Sequence, residues 1–344
     1  MKVMKKKWFN IILFLVALLV FFIIVILTDG IDKFIESIRN INIYWFLGAI
    51  LMIVIYWFIE ALILYIFVRQ KYKEYGFRAT FRASMIGQFF NAITPFASGG
   101  QPIQFYVLTK DGISSGEAGS MLAMKFIVHQ VTLVLYSLVL ILWKLTYFAD
   151  RVDRFVYLAV IGFSVNLVVV VLLYLFINYT EMTKTMIHSA FKIFAKLKIC
   201  TYPERMEQKV EKELEYFKDH SNDIKSNFKM LIGVGGLTVI QLTGFFMIAY
   251  FIYRSFGLSG ESISNIFVAG AFVSMIISAV PLPGGSGGAE VSFGMLFNMF
   301  FAQGQILPAI FLWRFVTLYM NIIVGGLVSI FAPEKPMKTI ETIT

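Results

Sequence analysis

Long apolar runs alternate with short polar stretches along almost the whole chain. A hydrocarbon core about 30 Å thick is crossed by roughly 20 apolar residues in a helix. The runs of that length are Trp8–Leu27, Tyr44–Val68, Ser114–Trp143, Phe155–Asn178, Phe228–Tyr253, Ser262–Val280 and Ile306–Phe331. The pattern predicts an all-α, polytopic integral membrane protein with about seven to eight transmembrane helices.

Two glycine-rich breaks interrupt this pattern, one at Asn91–Pro102 and one at Ser278–Glu290. Each contains proline and a glycine pair, followed by a polar residue that opens the next apolar segment. Irregular backbone exposed to lipid is not tolerated, because each unpaired amide there costs several kcal/mol. Each break therefore lies outside the bilayer or lines a cavity walled by protein. Paired interruptions of this kind are typical of a transporter binding site, and ordinary interhelical loops are the alternative.

The segments next to the breaks are too short to span comfortably. Phe77–Ile93 and Gln101–Thr109 flank the first break, and together they predict a re-entrant hairpin. Ala289–Ala302 follows the second break, and the sequence leaves open whether it crosses or re-enters. We therefore expect one or two re-entrant hairpins. Counting spans places both breaks on the cytoplasmic side, whereas an inverted repeat would place them on opposite sides.

Lysine and arginine cluster in the stretches between the apolar runs. By the positive-inside rule, the basic segments at Met1–Lys7 and Arg69–Lys73 predict a cytoplasmic N-terminus. Asp29–Asn42 predicts a short interfacial helix. The polar loop Thr180–Asn227 has a basic residue at every fourth position of its first half, which predicts an amphipathic helix on anionic headgroups. We treat residues 1–344 as one transmembrane domain that contains this cytoplasmic loop.

Composition narrows the function class. The chain has 30 Lys and Arg against 21 Asp and Glu, a net charge of +9. Since these basic residues lie between spans, membrane topology explains them and no nucleic-acid partner is expected. A single Cys200 and 3 His give no disulfide, no metal site and no cofactor motif. No soluble block is large enough for a nucleotide- or tRNA-dependent transferase, so we expect a protein that is not an enzyme.

Charged residues inside the predicted spans are the main functional candidates, because each costs roughly 2.5–3.5 kcal/mol on insertion scales. Internal ion pairs, Glu60 with Lys125 and Glu290 with Arg314, are the plainer explanation, and Glu290 also suits capping of its helix. Arg82 is a less clear candidate. The helix that follows each break also offers free amides to an anion such as a lipid phosphate. The candidate substrate-binding residues are Glu60, Asn91, Pro95, Gly99, Gly100, Gln101, Lys125, Gly284, Gly285, Gly287, Glu290 and Arg314.

Several of these positions carry a family resemblance. They are Asn91, Pro95 and Gly99-Gly100 in the first break, the run from Pro283 to Glu290 in the second, and Trp313-Arg314, Tyr319 and Gly325 in the last helix. Over roughly residues 8–331 the chain resembles the transmembrane, flippase-like domain of lysylphosphatidylglycerol synthase, the bacterial multiple peptide resistance factor. Lys125 stands where that family has a charged residue.

The resemblance implies translocation of an anionic or aminoacylated phospholipid, such as lysyl-phosphatidylglycerol, across a bacterial cytoplasmic membrane. It also implies a link to envelope charge and to resistance against cationic peptides. The family's transferase domain is not among these residues, so lysyl transfer is not expected. Three alternatives stay open: a transporter of polyprenyl-linked lipids, a membrane partner of a separate lipid-modifying synthase, and an enzyme acting on a lipid-linked substrate.

Overall fold

The computed structural model describes residues 31–152, 155–178, 216–278, 280–302 and 304–331. Over these ranges the chain forms eleven helices and no strand, as the sequence predicts. The helices are α1 (Ile31–Arg39), α2 (Ile43–Arg69), α3 (Phe77–Ile93), α4 (Gly100–Lys110), α5 (Ser115–Ala149), α6 (Phe155–Asn178), α7 (216–226), α8 (Phe228–Ser255), α9 (Ile263–Ser278), α10 (Gly288–Phe297) and α11 (Ile306–Phe331). The predicted first span (8–27) and the basic amphipathic helix (184–196) lie outside these ranges.

Five described helices are long and apolar enough to cross a membrane: α2, α5, α6, α8 and α11. The prediction that Ser262–Val280 forms a sixth span is wrong. Helix α9 has 16 residues, about 24 Å of helix, against a hydrocarbon core of about 30 Å. Its end is set by Pro281 and Pro283, because proline disfavours helical backbone in the residue before it and clashes with the preceding turn. Helices α9 and α10 therefore form a second hairpin.

The described chain contains the same sequence of elements twice. A short helix (α1, α7) leads to a span (α2, α8), two short helices separated by a break (α3–α4, α9–α10), and a long helix (α5, α11). The spans α2 and α8 have 27 and 28 residues. Asn42 and Asn227 cap these two spans, accepting from Tyr44 N at 3.0 Å and Met230 N at 3.2 Å. The first repeat covers 31–149 and the second 216–331, with α6 between them.

The two breaks have the same left-handed backbone at the two residues after the proline. Phe96 and Ala97 have φ of 54° and 50°, and Gly284 and Gly285 occupy the equivalent places with φ of 58° and 65°. In each break a serine hydroxyl then donates to the proline carbonyl at 2.8 Å, in the pairs Ser98–Pro95 and Ser286–Pro283. The repeat therefore extends to single residues from Pro95 to Ser98 and from Pro283 to Ser286. At the next position the breaks differ, since Gly99 has φ of −80° and Gly287 has φ of 81°.

The two repeats run in opposite directions. The start of α2 meets the end of α8, where Asn42 N donates to Ser255 O at 2.7 Å, and the end of α2 meets the start of α8, where Gln70 contacts Met230. Since α2 and α8 are antiparallel, the hairpin after each of them enters from the opposite side. This arrangement replaces the count that placed both breaks on the cytoplasmic side, which had treated Ser262–Val280 as a crossing.

The tips of the two hairpins meet. Pro95 and Pro283 form an antiparallel backbone bridge, and they are equivalent residues of the two repeats. Contact between equivalent residues is what a two-fold axis passing between them requires. Close packing of the hairpins against the spans uses glycine: a side chain at Gly325 of α11 would lie 2.6 Å from Met85 O of α3. Small residues at helix contacts are typical of membrane interiors.

Candidate functional site

The first break satisfies its own helix amides. Gly99 N donates to Thr94 Oγ1 and Gly100 N donates to Asn91 Oδ1, each at 2.8 Å. The side chain of Asn91 lies where a Cβ on Gly100 would be, with Oδ1 2.2 Å from that position. Two of the amides that the sequence assigned to an anion are therefore occupied by side chains of the same hairpin. Gln101 follows them at the start of α4 and is partly buried.

The second break is held by an ion pair whose arginine is buried and whose carboxylate is partly exposed. Arg314 Nε donates to Glu290 Oε1 at 2.7 Å, and Arg314 Nη1 donates to Gly284 O at 2.9 Å. The other carboxylate oxygen, Glu290 Oε2, accepts from Gly287 N at 2.6 Å. The predicted Glu290–Arg314 pair and the predicted capping role of Glu290 are both confirmed. Arg314 thus ties α11 to the tip of the second hairpin.

One nitrogen of this guanidinium has no acceptor. Arg314 is 4% exposed, and its Nη2 has no hydrogen-bond partner within the described parts of the chain. An unsatisfied buried donor on a charged group is costly, so the position suits an acceptor brought by a ligand. The helix changes to π-helical geometry in the next five residues, Phe315–Tyr319, a distortion that is frequent at functional sites.

A second buried ion pair joins four helices. Lys125 of α5 contacts Glu60 of α2, confirming that predicted pair, and the two side chains are 11% and 12% exposed. Gln241 Nε2 of α8 donates to the free oxygen of Glu60 at 3.0 Å. Lys125 Nζ also reaches Gln104 Oε1 of α4 at 3.4 Å. The second helix of each hairpin is therefore tied to a long helix through a charged group.

A third buried pair, Arg82 with Asp111, was not predicted from the sequence. Arg82 of α3 donates through Nη2 to Asp111 Oδ1 at 2.6 Å, and Tyr75 Oη donates to Asp111 Oδ2 at 2.6 Å. Because Asp111 ends α4, this pair joins the two arms of the first hairpin at their base. Burial, together with Asp111, raises the pKa of the Tyr75 hydroxyl above its usual range. Two features of the sequence could have indicated this pair: Asp111 directly follows a short helix, and Arg82 in the neighbouring short helix had no assigned partner.

Helix α7 packs against α5 near the base of the first hairpin. Its His220 is buried and lies 2.6 Å, through Nδ1, from Ser120 Oγ of α5. Burial lowers the pKa of His220, an effect that Glu117 opposes and Lys71 reinforces. Glu117 also accepts from Tyr72, and burial followed by this bond raises the pKa of Tyr72 to about 12. Residues of the loop between α2 and α3 thus hold α5, which in turn holds α7.

The predicted site residues fall into two groups. The hairpin tips bring together Asn91, Pro95, Gly99, Gly100, Gln101, Gly284, Gly285, Gly287, Glu290 and Arg314. Glu60 and Lys125 form the other group, between α2, α4, α5 and α8. Chemically, the first group offers one buried cation with a free donor and one carboxylate, both at the meeting point of the two repeats.

Comparison with known proteins gives two matches. A family model described as the lysylphosphatidylglycerol synthase TM region matches residues 11–325. The chain is also similar to a UPF0104 membrane protein of Archaeoglobus fulgidus, with 25% identity over 276 residues that cover 73% of this chain and 76% of the relative. The family-model match includes both breaks and the charged residues around them.

Proposed function

Because the chain belongs to the family of the lysylphosphatidylglycerol synthase transmembrane region, we propose that it translocates a phospholipid across the bilayer. The lipid class is anionic or aminoacylated, with lysyl-phosphatidylglycerol as the leading example. The observation that carries this proposal is the contact of two oppositely entering hairpins at Pro95 and Pro283, beside the partly buried Glu290–Arg314 pair. Inverted repeats with interrupted helices at their interface are the common architecture of secondary transporters.

The chemistry of the site suits a headgroup. A lipid phosphate is an acceptor, and the free Nη2 of Arg314 is a buried donor without one. An ammonium group on the headgroup would meet the carboxylate of Glu290, or of Glu60 in the second group. The acyl chains stay in the bilayer throughout, so only the headgroup needs a polar route. Such a route removes most of the cost of taking charges through hydrocarbon.

The proposal also covers the cellular location and role of the protein. We place the protein in a bacterial cytoplasmic membrane with its N-terminus in the cytoplasm, where translocation of an aminoacylated lipid changes envelope charge and resistance to cationic peptides. We assign transport and not lysyl transfer to these residues. A separate lipid-modifying synthase would supply the aminoacylated lipid and is a candidate partner.

The test is movement of headgroups in proteoliposomes that contain only this protein. Labelled phosphatidylglycerol and lysyl-phosphatidylglycerol are incorporated, and the outer-leaflet fraction is followed by headgroup accessibility. We expect protein-dependent movement of at least one lipid, lost in Arg314→Gln and kept in Arg151→Gln, since Arg151 is exposed at the end of α5. Arg151→Gln serves as the matched control because it removes the same charge away from the site.

Two outcomes would redirect the proposal. Unchanged transport in both Arg314→Gln and Glu290→Ala would contradict the assignment of the site. Absence of movement for every anionic or aminoacylated lipid would contradict this substrate class. The same assay with a polyprenyl-phosphate carrier would then separate the alternative transporter from a non-transporting partner of a synthase.

A further inference from the structure

A groove of about 320 Å³ lies between α10 and α11. This volume is at the lower end of the roughly 300–1,000 Å³ of ordinary ligand sites. Its lining residues are Glu290, Val291, Gly294, Asn298, Ile306, Leu307 and Ile310. The wall is almost entirely apolar, with one carboxylate at one end and one amide at the other.

The direction of the two helices orients this groove. Helix α10 starts at the hairpin tip with Gly288 and runs outward for 10 residues, about 15 Å. Helix α11 begins at Ile306 and brings the chain back to Arg314. Glu290 therefore marks the deep end of the groove, at the meeting point of the repeats, and Asn298 marks the outer end. An apolar groove running along a re-entrant helix suits a hydrocarbon chain better than a headgroup.

The charges at the deep end select a headgroup. Glu290 keeps 25% of its side chain exposed and lines the groove, while Arg314 Nη2, in the same ion pair, lacks an acceptor. The pair itself is neutral, and a buried uncompensated charge is strongly unfavourable. A headgroup with one phosphate and one ammonium adds no net charge to the pair: the phosphate meets Nη2 and the ammonium meets the carboxylate. Lysyl-phosphatidylglycerol carries a second ammonium, which would lie outside the pair. A headgroup with phosphate alone leaves one negative charge over.

We propose that the groove between α10 and α11 holds one acyl chain of a phospholipid whose headgroup, bearing both phosphate and ammonium, binds at Glu290 and Arg314. The inference narrows the proposed lipid class to headgroups that carry an ammonium, and it rests on the proposed function for the lipid nature of the ligand. Its test measures retained lipid and not transport, so the two can fail separately.

Gly294 makes the groove testable. A Cβ built at Gly294 would meet only Ile310 Cδ1, at 3.9 Å, so larger side chains enter the groove without a backbone clash. Gly294→Leu fills the groove, and Gly294→Ala changes the backbone propensity but leaves most of the space. Gly233→Leu in α8 is the matched control, because a Cβ at Gly233 has nothing within 4 Å.

The measurement is native mass spectrometry of the full chain in detergent after exchange into dioleoyl-phosphatidylethanolamine or dioleoyl-phosphatidylglycerol. We expect one retained lipid per chain, with phosphatidylethanolamine preferred. Gly294→Leu should lower retention about tenfold or more, which corresponds to losing the burial of roughly two methylene groups. Gly233→Leu and Gly294→Ala should retain lipid like the parent chain, and Glu290→Gln should remove the headgroup preference.

Each departure from this pattern has a defined meaning. Equal retention in Gly294→Leu and in the parent chain would overturn the groove as the site. Equal retention of the two lipids by the parent chain would overturn the assignment of the headgroup. Retention that behaves as expected in a protein that moves no lipid in vesicles would keep this inference and reject the proposed transport.

Discussion

The two members of the Glu290–Arg314 pair should differ in how much their removal destabilises the fold. In Glu290→Gln the guanidinium stays buried, with its side chain 5% exposed and a single carbonyl, Gly284 O, as its remaining uncharged acceptor besides the new amide. Breaking a buried pair from one side costs about 3–5 kcal/mol. We expect the free energy of unfolding to fall by an amount in this range.

Arg314→Met should be milder. The carboxylate of Glu290 is 25% exposed, keeps its bond from Gly287 N, and sits in the first turn of α10. A negative charge at a helix N-terminus is favoured by typically about 0.3–1 kcal/mol. With partial solvation and these local donors, we expect a cost of about 1–3 kcal/mol, the range for a lost hydrogen bond to a charged group. The ratio of the two effects is the discriminating quantity.

The assay is reversible unfolding in mixed micelles, with the double variant completing a thermodynamic cycle. Because the double variant leaves no lone buried cation, it should be more stable than Glu290→Gln alone. If Arg314→Met costs as much as Glu290→Gln, or if the two effects simply add, the reasoning from burial and local capping is refuted. Either result would mean that the pair contributes to stability by some other route.

Two further predictions concern the hairpin tips and the docked helix. In a Cys200→Ala background, Pro95→Cys with Pro283→Cys should form a disulfide on mild oxidation. Two prolines lack an N–H and so form the non-hydrogen-bonded kind of antiparallel pair, with Cα atoms about 4.5 Å apart, within the roughly 4.4–6.8 Å that a disulfide spans. After proteolysis within 179–215, the two halves should stay joined on a non-reducing gel and separate if the tips do not meet. Burial holds the pKa of His220 below its usual value of about 6.5. Below that pH the undocked state therefore binds more protons than the docked state, and docking of α7 should be lost progressively as the pH falls. Hydrogen exchange of 216–226 between pH 7.5 and pH 5 measures this loss; His220→Gln should abolish the pH dependence, and unchanged exchange in the parent chain would contradict it.

Two of the charge pairs could be predicted from the sequence. A charged residue inside an apolar run needs a partner, and among so few candidates Glu60 with Lys125 and Glu290 with Arg314 were the natural pairs. Asp111 was not predicted to pair because it follows a short helix, where an acidic residue is usually an exposed helix cap. Only the folded hairpin places it against Arg82, 29 residues earlier in the chain.

The topology of the second hairpin could not be predicted from the sequence, for a physical reason. Ser262–Val280 has the apolar composition of a true span, and hydropathy does not distinguish a helix that crosses lipid from one that turns back inside protein. The repeat was hidden at the same place. Phe96-Ala97 and Gly284-Gly285 share one left-handed conformation, although nothing in the side chains of the first pair indicates it. Left-handed backbone costs a non-glycine residue roughly 1–2 kcal/mol, so residue type alone does not predict that Phe96 and Ala97 are equivalent to the two glycines.

The position of helix α6 between the two repeats has a consequence for how such a molecule can arise. Helix α5 ends on the side where α2 began, and α6 carries the chain back before the second repeat starts, so that repeat is inserted upside down. An ancestral polypeptide with one repeat would reach the same architecture only as a pair of copies inserted in opposite orientations. In the present chain the two repeats are joined covalently, with α6 between them in the described residues, so dual topology is not required. Each half is then free to acquire its own charges, as Glu60–Lys125 in one and Glu290–Arg314 in the other.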